Sequence, residues 1–223
     1  MGAEERSRIL VTGGAGFTGR RVVTALAELG HDVTVADLRE VHAEGVRSVV
    51  GDLCDPSVAV RAVASGTDVI IHLAAVTSVL RSIEDPAGTH ALNVDVTAHL
   101  LELARNQGVK NFILASSNAV TGDVGRAVIT EQITPRPLIL GAGESITVND
   151  ILTAARSVTG APIPAEHIPP RQGEMPAVIV DISAARALGY HPTHDLKSGI
   201  ATVWPEWAPC AQGQAAADGK AAQ

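Results

Sequence analysis

The sequence predicts an α/β protein with a doubly wound parallel sheet. Short apolar runs rich in β-branched residues alternate with helical stretches through the first half of the chain. The first run, Arg8–Thr12, passes directly into a glycine-rich turn, and the second is followed by Asp37. Strands that are apolar at successive positions are typical of a parallel sheet that helices cover on both faces.

Five strands are expected in this half of the chain. Each is short, rich in Val, Ile or Leu, and bounded by glycine or polar residues, as buried strands are. They are Arg8–Thr12, His31–Ala36, Val46–Val50, Thr67–Leu73 and Asn111–Ser116.

Helices are expected between these strands. One covers Gly16–Leu29, and another starts at Asp55, whose side chain would cap it ahead of a proline. A third covers Asn93–Asn106 and closes at Gly108. Its apolar side is expected to comprise Val94, Leu100, Leu101 and Leu103.

The second half of the chain has fewer clear patterns. The spacing of Thr147 and Asp150 is that of a capping box, which predicts a helix at this point. Shorter helices are expected over Ile182–Leu188 and Leu196–Trp204. The apolar run Leu138–Leu140 is expected to lie beside the fifth strand, where it would cover the edge of the sheet.

The composition limits the classes of protein. The chain has 223 residues and a formal net charge of −7, so it is not expected to bind nucleic acid or an anionic membrane surface. No apolar run is long enough to span a bilayer, and the N-terminus is charged. Cys54 and Cys210 form neither a disulfide framework nor a metal-ligand set. We therefore expect a cytoplasmic protein without a bound metal.

The glycine-rich turn predicts a dinucleotide site. Gly13, Gly16 and Gly19 follow the first strand and open the first helix. Such glycines permit a tight turn and a close approach of the backbone to a pyrophosphate, which the helix N-terminus attracts. Asp37 ends the second strand about 20 residues further on, where a carboxylate can accept hydrogen bonds from ribose hydroxyls.

With these motifs the chain resembles the extended short-chain dehydrogenases/reductases of the NAD-dependent epimerase/dehydratase type, which act on nucleotide sugars. The residues that carry the resemblance are Thr12-Gly13, Gly16, Gly19, Asp37, Asp52-Leu53, His72-Leu73-Ala74-Ala75, Asn93-Val94 and Ser116-Ser117. The resemblance resumes at Gly141–Ser145, Arg171–Glu174 and Leu188–Pro192. It implies a Rossmann-like fold with a reduced C-terminal lobe.

The resemblance implies NAD as the cofactor and assigns residues to it. The three glycines, with the backbone N–H groups near Phe17 and Thr18, would hold the pyrophosphate. Asp37 would bind the adenosine ribose, which favours NAD over NADP, although the nearby Arg39 weakens that preference. The remaining predicted cofactor residues are Asp52 and Leu53 beside adenine, Leu73, Ala74, Ala75 and Thr77 along the path to the nicotinamide, and Asn93 and Ala115.

The resemblance also implies a substrate side. Ser117 would polarise a sugar carbonyl, and Arg171 would contact the diphosphate of a nucleotide sugar. His72 is expected to pack at the end of its strand rather than to act in catalysis. The homodimer interface implied by the resemblance includes Asn93–Asn106, so a homodimer is one option.

One departure from the family pattern bears on the chemistry. Members of the family use a Tyr-x-x-x-Lys pair for proton transfer, and Tyr190 is the single tyrosine here, with His194 four residues on. After Pro137 the sequence continues at Leu138 with a segment that resembles a much later part of the family's chain. The chain is therefore interpreted as internally shortened.

Three functional readings stay open at this point. The chain is an NAD-dependent enzyme of the epimerase/dehydratase type that uses other residues, with Ser117 and Glu131 as the candidates for catalysis. Alternatively, it is a non-catalytic NAD-binding sensor or interaction protein, or an inactive shortened form. The expected domains are a dinucleotide-binding domain over residues 1–141, a remnant substrate-side lobe over 142–207 and a flexible tail over 208–223.

Overall fold

The computed structural model describes residues 6–117, 120, 128–129, 138–169 and 177–218. The chain divides into two compact units, Met1–Ser116 and Ser117–Gln223. The sequence places the end of the dinucleotide-binding domain at residue 141, whereas the structure divides directly after the last strand of the large sheet.

The first unit is built on a five-stranded parallel sheet with the order β3-β2-β1-β4-β5. The strands are β1 (Arg8–Thr12), β2 (Asp32–Asp37), β3 (Val46–Val50), β4 (Val69–His72) and β5 (Asn111–Leu114). All five carboxyl ends therefore lie at one edge of the sheet. This arrangement confirms the predicted fold class.

Helices cover both faces of this sheet. Leu10 and Ile70 are buried in a cluster with α2 (Pro56–Ala62) and α5 (Val96–Gln107). The neighbouring β1 residues point the other way and are buried in a second cluster with α1 (Phe17–Glu28). Because successive strand residues point to opposite faces, β1 must be apolar at every position to fill both clusters.

The ends of these helices follow local chemistry. The Asp55 carboxylate accepts a hydrogen bond of 2.9 Å from the Ser57 N–H and so caps α2. Gly108 closes α5 in the left-handed conformation, with a φ of 69°. Both helix ends were predicted from the sequence, and the structure confirms them.

The buried side of α5 differs from the predicted one. The residues that α5 buries are Val96, Leu100 and Ala104, whereas Val94 is 50% and Leu101 47% exposed. A π-helical turn over Ala91–Asp95 precedes α5. Its wider turn breaks the period of 3.6 residues on which the prediction depended, so Val94 does not continue the buried stripe. The prediction is wrong for Val94 and Leu101.

Two short helices before the π-helical turn were missed by the sequence analysis. They are α3 (Val79–Glu84) and α4 (Pro86–His90). Ser78 caps α3 by accepting from the Arg81 N–H at 3.2 Å, and Asp85 caps α4 by accepting from the Gly88 N–H at 2.9 Å. The dipeptide Asp85-Pro86 is the same start signal that identified α2, and it would have identified α4 as well.

The second unit contains a two-stranded parallel sheet and three helices within the described residues. They are β6 (Val128–Ile129), β7 (Ile179–Val180), α6 (Val148–Thr159), α7 (Ser183–Ala187) and α8 (Leu196–Asp218). The predicted capping box is confirmed, since the Asp150 N–H donates to Thr147 Oγ1 at 3.1 Å and the Thr147 N–H donates to Asp150 Oδ2 at 2.9 Å.

Two expectations for this unit differ from the structure. Leu138–Leu140 has no strand conformation, so the prediction that it extends the large sheet is wrong, and β5 is an edge strand among the described residues. The last helix, α8, continues beyond Trp204 to Asp218 and so enters the segment for which a flexible tail was predicted. Among the described residues, no helix is long and apolar enough to cross a bilayer.

The difference in burial between two leucines of α5 leads to a prediction about stability. Leu100 is 0% exposed, and its neighbour Leu101 is 47% exposed on the same helix. Leu100→Ala should lower the free energy of unfolding by about 2–5 kcal/mol, because it leaves a cavity beside the sheet. Leu101→Ala has the same effect on helix propensity, but it should change the free energy of unfolding by about 0.5 kcal/mol or less. Urea unfolding followed by circular dichroism compares the two; equal losses would contradict the assigned packing.

Candidate cofactor site

An open groove of about 220 Å³ lies at the carboxyl ends of β1 to β4. In a parallel sheet the loops that follow the strands meet at this edge, which is where open α/β sheets bind ligands. The groove is lined by Gly13, Gly16, Ala36, Asp37, Leu38, Gly51, Asp52, Leu53, Leu73, Ala74, Ala75 and Leu92.

Most of this lining was predicted from the sequence. The predicted cofactor residues found in the lining are Gly13, Gly16, Asp37, Asp52, Leu53, Leu73, Ala74 and Ala75. Four lining residues were not among them: Ala36, Leu38, Gly51 and Leu92. Each is the immediate sequence neighbour of a predicted residue, so adjacency was the signal that could have found them.

Other predicted cofactor residues do not line the groove. Phe17 and Thr18 are exposed in the first turn of α1, and Gly19 is buried behind them. Thr77 is exposed within the loop after β4. Ala115 follows β5, where its N–H donates to the His72 carbonyl oxygen at 3.1 Å.

The glycine turn is shaped by close contacts of the backbone. Gly13 has a φ of +71°, and a Cβ atom there would lie 2.7 Å from the Ala74 nitrogen. A Cβ atom at Gly19 would lie 2.1 Å from the Gly13 carbonyl oxygen. These positions accept only glycine, because the turn after β1 packs directly against the loop after β4 and against its own helix.

The start of α1 leaves donors at the end of this turn. Gly16 is the N-cap of α1 and provides no side-chain cap. The first N–H groups of a helix have no partner within the helix, and they carry the positive end of its dipole. With Gly16 in the groove lining, this helix end is suited to an anionic group such as a pyrophosphate.

Asp37 is anchored at the end of β2 by two backbone N–H groups. Oδ2 accepts from Ala15 at 3.0 Å, and Oδ1 accepts from Arg39 at 3.1 Å. An ionised carboxylate has about four acceptor sites, so both oxygens keep the capacity to accept further hydrogen bonds. Asp37 can therefore receive two hydroxyl groups in the groove without a change of its own position.

Two guanidinium groups lie next to Asp37. Arg39 Nη2 donates to the Ala15 carbonyl oxygen at 2.8 Å, and Arg20 Nε donates to the same oxygen at 3.1 Å. They line a second cavity of about 350 Å³ together with Ala15, Glu40, Val41 and His42. The backbone of Ala15 thus lies between the Asp37 carboxylate, which its N–H contacts, and the two cations, which its carbonyl oxygen contacts. The negative field around Asp37 in the groove is weakened accordingly.

The loop after β3 supplies a second carboxylate. Asp52 Oδ1 accepts from the Cys54 N–H at 2.9 Å. Partial burial and the hydrogen bond to Asp52 raise the pKa of the Cys54 thiol above its usual value. A raised pKa disfavours the thiolate, which is the nucleophilic form of cysteine.

Asn93 supports the loop after β4 from behind. Its Oδ1 accepts from the Val76 N–H at 2.8 Å, and its Nδ2 donates to the Val76 carbonyl oxygen at 3.0 Å. The π-helical turn carries Asn93 into this position. Asn93 therefore fixes the backbone of a groove loop without lining the groove itself.

The predicted substrate-side residues lie outside this unit. Ser117 is exposed, and its carbonyl oxygen accepts from the Val120 N–H at 3.3 Å. Glu131 and Arg171 lie outside the described residues. No group of three or more His, Cys, Asp or Glu side chains is arranged as a metal site in the part of the chain that the structure describes.

The fold and the groove together define a protein of the Rossmann type, with a groove whose lining suits a dinucleotide. The model of the NAD-dependent epimerase/dehydratase family matches residues 9–141, and the chain belongs to that family. This match covers the five-stranded sheet except for Arg8, the first residue of β1, and it covers every residue that lines the groove.

Individual relatives fall into two kinds of enzyme. A UDP-glucose 4-epimerase of Corynebacterium glutamicum is 31% identical over 160 residues, which are 69% of this chain and 48% of the relative. A 3β-hydroxysteroid dehydrogenase/Δ5→4-isomerase of Mycobacterium tuberculosis is 38% identical over 52% of this chain and 33% of the relative. The chain thus spans about half or less of the length of these relatives.

Solved structures give the same fold. A short-chain dehydrogenase/reductase of Agrobacterium tumefaciens with bound NAD is 36% identical, has a TM-score of 0.52 and covers 58% of this chain and 39% of its own. A UDP-glucose 4-epimerase of Stenotrophomonas maltophila with bound NAD has a TM-score of 0.81 over 93% of this chain and 100% of its own, at 17% identity. The second likeness is one of fold alone.

The close contact between Gly13 and Ala74 leads to a second prediction about stability. Gly45 has a φ of +72°, similar to that of Gly13, but no atom lies within 4 Å of a Cβ built there. Gly45→Ala should therefore lower the free energy of unfolding by about 1 kcal/mol, from backbone strain alone. Gly13→Ala should lower it by about 3 kcal/mol, since the loop after β4 must also move. Urea unfolding measures both; similar losses would show that space at Gly13 is not limiting.

Proposed function

We propose that the first unit binds NAD in the groove at the carboxyl ends of β1 to β4. The observation that carries this proposal is the convergence of the glycine turn, Asp37 and the small residues of Leu73–Ala75 on one groove. These three features come from separate loops, and a dinucleotide is the ligand that needs all of them at once.

Each part of the groove suits one part of the cofactor. The backbone at Gly13 and Gly16, with the helix end next to Phe17 and Thr18, would hold the pyrophosphate. Asp37 would accept hydrogen bonds from the adenosine ribose, and Asp52 and Leu53 would lie beside adenine. The small residues Ala74 and Ala75 would leave room for the nicotinamide half.

The reaction we propose is that of the nucleotide-sugar epimerase/dehydratase type. The relative from Corynebacterium glutamicum, named UDP-glucose 4-epimerase, supports a nucleotide sugar as the substrate. When bound, NAD supplies reversible acceptance of a hydride from a sugar carbon. In this proposal Ser117 polarises the sugar carbonyl, Glu131 moves a proton, and Arg171 binds the diphosphate.

A second candidate is NAD binding without turnover. Tyr190, the one tyrosine in the sequence, donates its hydroxyl proton to the Gly141 carbonyl oxygen at 3.1 Å within the second unit. Lys110 pairs with Asp68 at 3.1 Å, and both precede their strands, at the sheet edge opposite the groove. These placements favour structural roles for both side chains and support the non-catalytic reading.

A homodimer is also proposed. Val94 and Leu101 are about half exposed on and beside α5, the helix for which the interface is expected. An analytical ultracentrifugation run on the wild-type chain would decide between monomer and dimer.

Cofactor binding is tested by titrating the protein with NADH and following its fluorescence, with NADPH for comparison. Asp37→Ala should weaken NADH binding by about tenfold or more, because hydrogen bonds to a charged group are lost. Gly16→Val should weaken it too, by obstructing the turn. The control is Asp32→Ala at the opposite end of β2, where the carboxylate pairs with Arg6.

NADPH binding shows whether Asp37→Ala acts by removing a negative charge or by a general loss of structure. Removing the Asp37 carboxylate leaves Arg20 and Arg39 beside the ribose position, so NADPH should bind to Asp37→Ala at least as well as to the wild type. If NADH affinity is unchanged in both Asp37→Ala and Gly16→Val, the cofactor site is not this groove.

Turnover is tested with UDP-glucose and its 4-epimer. If the chain is an enzyme, Ser117→Ala should lower kcat by about 100-fold while the Kd for NADH stays the same. The adjacent Ser116→Ala is the matched control and should retain activity. Saturable NADH binding with no turnover of either sugar in the wild type would support the non-catalytic candidate.

A further inference from the structure

His72 is a buried titratable residue with no role in the functions proposed above. It ends β4, is 2% exposed, and stands between β1 and α5. Its Nδ1 lies 2.6 Å from Thr12 Oγ1 and its Nε2 lies 3.0 Å from Thr97 Oγ1. The Phe112 ring contacts it edge-on at a centroid distance of 6.1 Å. The imidazole is thus held on both nitrogens.

The neighbouring hydrogen bonds fix where its proton lies. Thr97 Oγ1 donates its proton to the Asn93 carbonyl oxygen at 2.9 Å, so toward His72 it can only accept. Nε2 of His72 must therefore carry the proton. In a neutral imidazole Nδ1 is then an acceptor, and the Thr12 hydroxyl donates to it.

The neutral state of His72 agrees with a hydrogen bond donated by Thr12 to Nδ1. Burial lowers the pKa of the His72 imidazole below its ordinary value, which favours the neutral form at neutral pH. A second proton on Nδ1 would face the Thr12 hydroxyl proton, and Thr12 would have to turn that proton away. The neutral ring is the form that satisfies all three side chains.

Both ends of this network hold the same loop. Thr12 Oγ1 accepts from the Ala74 N–H at 3.2 Å, which anchors the start of the loop after β4. Thr97 binds the backbone of Asn93, whose side chain makes two hydrogen bonds to Val76 further along the loop. Ala74 is itself the first anchored residue, and Ala75 lies between it and Val76; both alanines line the groove.

We infer that His72 is a positioning residue: as a neutral imidazole protonated at Nε2, it joins Thr12 to Thr97 and thereby sets the loop 73–77 against the glycine turn. An effect of His72 on ligand binding rests on the proposed NAD site, whereas its effect on the position of the loop is independent of that proposal. His72 acts on Ala74 through Thr12, and on Val76 through Thr97 and Asn93.

Thr97→Val tests the network at a residue that does not line the groove. It removes the acceptor of the His72 proton and keeps the side-chain shape. NADH binding should weaken by about three- to tenfold, because the Thr97 hydroxyl loses its hydrogen bonds to His72 and to Asn93 together. Exchange of the Ala74 and Val76 amide protons, measured by NMR, should become faster by a similar factor. Thr97→Ser keeps the hydroxyl and should restore both.

Thr67→Val is the matched control. Thr67 is 7% exposed, and its Oγ1 donates to the Ala64 carbonyl oxygen at 2.8 Å, away from the groove. Like Thr97→Val, it replaces a part-buried, hydrogen-bonded hydroxyl with a methyl group, but it should leave NADH affinity and the two amide protons unchanged. Equal effects of the two substitutions would overturn the inference, because they would reflect stability alone.

The wild-type protein provides a test that needs no variant. Nitrogen-15 shifts of the His72 ring distinguish the Nε2–H tautomer from the Nδ1–H tautomer and from the imidazolium. The Nε2–H tautomer is expected, and either of the other forms at neutral pH would overturn the inference. If the wild type does not bind NADH, the proposed function fails, and the tautomer and amide exchange still decide the role of His72.

Discussion

The turn after β1 and the loop after β4 approach each other so closely that a methyl group at Gly13 would lie 2.7 Å from the Ala74 nitrogen. This contact depends on the pairing of β1 with β4, which places Thr12 beside His72 and continues in a hydrogen bond from the Leu73 N–H to the Thr12 carbonyl oxygen. The turn and the loop can approach this closely because Gly13 has no Cβ atom. Gly13 and Ala74 both line the groove. Asp37 joins the same assembly, because its carboxylate holds the turn through the Ala15 N–H.

The sequence predicts the parts of this assembly that are local in the chain. Glycine spacing, the acid after β2 and the apolar strands are patterns of neighbouring residues, and they led to most of the groove lining. The helix starts at Ser78 and Asp85 were equally local and were missed. The contacts of His72 could not be predicted in this way, since Thr12 and Thr97 are distant in sequence and meet only through the register of β1 with β4 and the packing of α5.

Predictions that depend on periodicity failed where the period changes. The π-helical turn over Ala91–Asp95 separates Val94 from the regular stripe of α5, and no residue pattern announces it. The short run Leu138–Leu140 was expected to lie beside β5 because its segment resembles a later strand of the family, but three apolar residues fit a loop as well as a strand. Conversely, α8 continues through an Ala- and Gln-rich stretch whose composition alone favoured a tail, although both residues are good helix formers.

Cofactor binding and catalysis have different physical requirements in this chain. The groove is complete within the first unit, since every lining residue lies before Ser116. Its glycine turn, its carboxylate and its supporting network suit the binding of a dinucleotide rather than proton transfer to a substrate. His72 is close at hand, but both of its nitrogens are engaged by threonine hydroxyls, and burial keeps it neutral. In the proposed reaction, proton transfer is therefore assigned to residues after Ser116, namely Ser117 and Glu131. For this reason loss of turnover and loss of cofactor binding would be separate events in this protein, and retention of the groove does not by itself imply retention of the reaction.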